Sequence, residues 1–82
     1  MYKNKSEDGL NNICGEKVKQ YRMAMSKKTS QRKLADLLQV EGLDLDKNAI
    51  QRIEAGKRFV TDIELVYLAQ VLNVSYQDLL HH

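Results

Sequence analysis

Proline is absent from the 82 residues, cysteine occurs once, and a single phenylalanine stands beside four tyrosines. Each scarcity removes a class of structure or function. Without proline the chain lacks the rigid punctuation of a turn-rich β fold, which favours helices. The lone Cys14 excludes a disulfide framework and a cysteine-based zinc site within one chain, and it fits a reducing compartment. It falls on an apolar stripe, so it reads as a buried structural thiol and not a reactive one. Residues 1–12 are polar and charged, which does not match a secretory leader. The longest apolar runs are far too short to span a bilayer. A cytoplasmic protein is the expectation. No glycine-rich phosphate loop, paired inward carboxylates or nucleophile beside a base is found. The only histidines, His81 and His82, read as a tag remnant or tail. Neither catalysis nor a cofactor or metal is expected. The few aromatics also count against RNA, whose recognition usually stacks bases on exposed rings.

What is present is ordinary in amount and uneven in placement. Apolar residues make up 43% of the chain, and a chain this short implies one domain with a modest core. The net charge is only +2, yet Lys17 to Lys33 holds seven Lys or Arg and no acid. Asp62 to Leu80 holds three acids and no Lys or Arg. One end of the domain therefore carries a positive field.

Residues 1–11 show no periodicity and read as a flexible arm, leaving 12–80 as the domain. Asn12 is the predicted cap of a first helix from Ile13 to Met25, with Cys14, Val18, Tyr21 and Met25 as its apolar stripe. Ser30 is the predicted cap of a second, from Gln31 to Val40. Its Leu34, Ala35, Leu37 and Leu38 face one way; Arg32, Lys33, Asp36 and Gln39 face the other. Gly42 stops it. Asp46 caps a third helix, and Gly56 supplies the left-handed residue that ends it. Thr61 and Glu64 have capping-box spacing for a fourth, with Leu65, Leu68, Ala69 and Leu72 inward. Ser75 caps a short fifth element whose Tyr76, Leu79 and Leu80 are expected to dock. The expected fold is all-α, with five helices and no strands.

The third helix is short and has an unusual surface. At 100° per residue, Asp46, Ala49, Ile50 and Ile53 share one arc, and Lys47, Asn48, Gln51, Arg52 and Ala55 share the opposite one. Lys, Asn, Gln and Arg are the side chains that match base edges, Arg or Lys with guanine and Asn or Gln with adenine. Ala55 leaves room for close approach. The one acid within this helix, Glu54, lies at the edge of the core arc.

An apolar-striped helix, a break and a short polar-faced helix form a helix-turn-helix pattern. The stretches "TSQRKLADLL", "NAIQRIEAGKR" and "ELVYLAQVLNVSYQDLL", in that order, resemble the phage repressor/Cro-like helix-turn-helix family, also called the XRE family, over Ile13 to Leu80. The resemblance implies a compact five-helix domain of the lambda-repressor-like type whose second and third helices form the DNA-reading unit. It implies that Lys47, Asn48, Gln51 and Arg52 lie in the major groove. It implies phosphate contacts from Gln31 at the start of helix two, from Lys57 and Arg58 after the Gly56 turn, and from Lys28. Arg22 and Glu54 match a family pair that ties helix one to the reading helix. The chain departs from the family pattern in the longer link "VEGLDLDK" between helices two and three, and in a longer "SKKTS" between helices one and two. Leu43 and Leu45 are expected to pin the first link to the core, with Glu41, Asp44 and Asp46 turned aside from phosphate.

Helix four carries a second apolar strip, Ile63, Val66, Tyr67 and Val71, nearly opposite its core face. A surface helix usually keeps that side charged, so the strip is the expected interface of a homodimer. The expected function is sequence-specific binding of a double-stranded operator as a transcriptional regulator. The alternative is a protein-interaction module, such as the antitoxin of a toxin–antitoxin pair. That role calls for apolar anchors on helix three, and its outward face has none.

Overall fold

Each helix starts where a short polar side chain can satisfy its open N–H groups. In the computed structural model, which describes residues 9–25 and 28–80, the order is α1 (Gly15–Met23), α2 (Gln31–Glu41), α3 (Lys47–Glu54), α4 (Asp62–Leu72) and α5 (Tyr76–Leu80). No strand occurs among the described residues. Ser30 Oγ accepts from Lys33 N at 3.0 Å, and Asp46 Oδ1 from Ala49 N at 2.8 Å. Thr61 and Glu64 form the reciprocal capping box of α4, at 3.1 and 3.0 Å. Ser75 and Asp78 repeat that exchange at the head of α5, both bonds being 3.0 Å. Gly42 (φ 110°) ends α2, and Asn73 (φ 59°) ends α4 in the left-handed region that Asn tolerates better than most residues.

The core is made by the inward faces of all five helices. Val18, Leu34, Leu38, Ile50, Ile53, Leu68 and Leu79 are fully buried, with Cys14, Ala35, Leu45, Ala69 and Leu72 nearly so. α1 packs on α3, α4 and α5, while α2 packs on α3 and α4. Burial pushes the Cys14 thiol up to about 11, so at neutral pH it is an inert, protonated core group.

Three expectations are corrected. The first helix runs from Gly15 to Met23; it starts late because Asn12 Oδ1 accepts from Gly15 N (2.8 Å) and residues 13–14 form a bend. Tyr76 and Leu80 are exposed, since a five-residue helix has one inward position and Leu79 fills it. The apolar strip of α4 is split. Ile63 and Val66 are exposed, but Tyr67 and Val71 are half-buried against the core. The arm expected over 1–11 lies outside the described residues up to position 8, and its last residue is anchored, Asn11 N–H donating to Gly56 O at 2.8 Å. His81 and His82 are also outside the described residues. No helix among the described residues is long and apolar enough to cross a membrane.

Candidate nucleic-acid interface

Burial of Ile50 and Ile53 fixes the rotation of α3 about its own axis. That rotation leaves Lys47, Asn48, Gln51, Arg52 and Ala55 exposed together. None of the four polar side chains bonds or ion-pairs with another described residue. They form a face of donors, with Asn and Gln also able to accept, held on a capped and packed helix and open to an external partner.

The link from α2 to α3 is tied down by α2 itself. Leu43 N–H donates to Leu38 O (2.9 Å), Gln39 Nε2 donates to Leu45 O (3.1 Å), and Leu45 is buried with Leu43 half-buried. Glu41 and Asp44 are exposed, and Asp46 is spent on capping α3. Arg32, Asp36 and Gln39 of α2 share a groove with Asp46, Lys47 and Asn48. Arg32 is exposed there. The sequence shows it only as one of the outward residues of α2, and its proximity to the α3 face depends on how the two helices cross.

Behind the face lies a charged network. Arg22 Nε donates to Glu54 Oε2 at 2.7 Å and Arg22 Nη2 to Glu54 Oε1 at 3.0 Å, a two-pronged pair whose side chains are 11% and 4% exposed. Arg22 Nη1 donates to Thr29 O at 2.7 Å, so the same guanidinium fixes the approach to α2. Gln31 Nε2 donates to Glu54 Oε1 at 2.9 Å. Gln31 is thus turned partly into the protein, with one amide hydrogen left over. Lys28 is exposed beside Thr29.

The turn after α3 separates two cations that the sequence treats alike. Gly56 has φ 75°, and Lys57 N–H closes the helix onto Arg52 O at 2.9 Å. Lys57 is exposed. Arg58 is half-buried and turned toward α4. Its two terminal nitrogens donate to Glu64 Oε1 and Oε2, both at 2.9 Å. The bond from Arg58 is the main cause holding the Glu64 carboxyl below its usual range, and the same bond raises Arg58. Arg58 therefore braces the capping box of α4, and Lys57 is the uncommitted cation of the turn. Asn12 also reaches this turn, its Nδ2 donating to Ile53 O at 3.1 Å and Arg58 O at 2.7 Å. Sequence reasoning takes it only for a cap, because those bonds span more than 40 positions.

Among the described residues no cluster of His, Cys, Asp and Glu could hold a metal ion. A family model described as helix-turn-helix matches residues 18–79, from the middle of α1 to the end of the core. No curated protein and no solved structure matches the chain.

Proposed function

The chain belongs to the helix-turn-helix family of lambda repressor/Cro-like DNA-binding regulators, and from that premise we propose that it is a transcriptional regulator that binds double-stranded DNA sequence-specifically, with α3 in the major groove. One observation carries this reading: Lys47, Asn48, Gln51 and Arg52 project together from α3 with no partner among the described residues. A helix fits the major groove, and these four side chains are suited to base edges there. Lys28, Lys57 and Arg32 are exposed around them as candidates for phosphate. Gln31 offers its remaining amide hydrogen at the N-terminus of α2, where the helix dipole favours an anion. Two such units in a homodimer, joined through the exposed side of α4, set the reading helices about one DNA turn, roughly 34 Å, apart.

Selection of bound duplexes from a random pool, followed by a salt titration on the winner, tests the reading. A dimer making roughly six phosphate contacts loses about a thousandfold in affinity between 50 and 200 mM salt. A flat titration, or a pool that never converges, defeats the proposal.

A further inference from the structure

Three consecutive carbonyls in the turn after α3 are captured by two neighbouring asparagines. Asn11 N–H donates to Gly56 O at 2.8 Å, Asn11 Nδ2 to Lys57 O at 2.9 Å, and Asn12 Nδ2 to Arg58 O at 2.7 Å. Asn12 Nδ2 also donates to Ile53 O at 3.1 Å, and its Oδ1 accepts from Gly15 N at 2.8 Å. One carboxamide therefore joins the start of α1, the end of α3 and the turn beyond. The approach is close enough that a Cβ on Gly15 would collide with the Ile53 carbonyl oxygen.

A carbonyl oxygen repels a phosphate, whereas N–H groups and ammonium ions attract one. A turn that lies along the DNA backbone must keep its carbonyls on the protein side. We propose that Asn12, with Asn11 beside it, is a positioning residue for DNA binding: the two hold the carbonyls of residues 56–58 inward and so present Lys57 to a phosphate flanking the base pairs read by α3. This rests on the DNA reading above. It assigns to the entry into α1 a part in docking that residues far from α3 in sequence do not advertise.

The test measures affinity and salt slope of the whole chain on its selected duplex and on a random one, with thermal melts alongside. Asn12→Ala is expected to weaken both duplexes by the same factor, about tenfold per subunit. It should also flatten the salt slope by about one per subunit. Adding Lys57→Ala to it should change neither further. Asn11→Ala guards against a variant that fails to fold. It removes one side-chain bond and also Asn11 Oδ1, a buried acceptor without a partner among the described residues, so its fold should persist while its salt slope falls in the same direction. A lowered melting temperature with an unchanged slope, measured where the variants are fully folded, would make the clasp merely structural and overturn the proposal. Full additivity with Lys57→Ala would overturn it as well. Wild type with no salt-dependent duplex binding is a different failure, that of the DNA reading itself.

Discussion

Glu54 is the residue on which the candidate site and the core meet. Its carboxylate takes both prongs of Arg22 and the amide of Gln31, with the side chain 4% exposed. Removing one partner of a pair so enclosed strands the other, so Glu54→Ala should cost about 3–5 kcal/mol. Replacing both members with apolar residues of similar volume, Arg22→Met with Glu54→Leu, should be milder than either single change. Denaturant unfolding of the full cycle measures this, and a Glu54→Ala loss below about 1 kcal/mol, as for an exposed pair, contradicts it. Glu64 offers a pH test. Its folded pKa is depressed, chiefly by the bond from Arg58. The stability it contributes is therefore complete above the ordinary carboxylate value of about 4.3 and is lost as pH falls through the lower folded value. Glu64→Gln should remove that acid-limb slope from a plot of urea midpoint against pH. Parallel curves for wild type and variant would show that the Arg58–Glu64 pair contributes nothing.

At the scale of the element, helix starts were the most legible feature, because a cap acts within three residues. Ser30, Asp46 and Thr61 with Glu64 do in space what their spacing indicates. The start of α1 was less legible, since Asn12 divides its side chain between its own helix and the far end of α3. α5 misled for a different reason: its apolar residues outnumber the inward positions of a five-residue helix. For α3 the 3.6-residue period was enough to sort the faces. Gln51→Ala or Arg52→Ala should cost about 1–3 kcal/mol on the preferred site and relax the preference at one base pair. Lys57→Ala should instead weaken all sequences alike. Unchanged preference in both α3 variants would remove α3 as the reader.

Over the whole molecule, what the sequence could not display is what the chain brings together from afar. Arg22, Gln31 and Glu54 converge only once α1, α2 and α3 are packed; the pairing of Arg22 with Glu54 came from family resemblance, and the bond from Gln31 to Glu54 was not expected. The pairing of Arg58 with Glu64 was not legible because nothing local shows that the turn swings Arg58 back to α4. The dimer surface changes in the same way. With Tyr67 and Val71 half-buried, the exposed apolar residues of α4 are Ile63 and Val66, and Val66 shares a groove with exposed Tyr76 of α5. Ile63→Lys with Val66→Lys should abolish the proposed dimer in analytical ultracentrifugation and leave the helical signal intact. Wild type that stays monomeric at high micromolar concentration, free and on DNA, would refute that interface.

Both ends of α1 are fastened to the last turn of α3, through Asn12 and Gly15 at one end and Arg22 at the other. The first turn of α3 has its Asp46 cap and the buried Ile50. The last turn of α3 is thus tied to α1, and the first turn is held by its own cap and by the link from α2. Amide hydrogens around Ile53 and Glu54 should exchange only when the domain unfolds globally, and those near Lys47 to Ala49 much sooner. Equal protection along α3 would disprove the asymmetry. For a DNA reader this means a face of two stiffnesses. If α3 reads DNA as proposed, Gln51 and Arg52, next to the turn that α1 holds, should tolerate less change in the base pairs opposite them than Lys47 and Asn48.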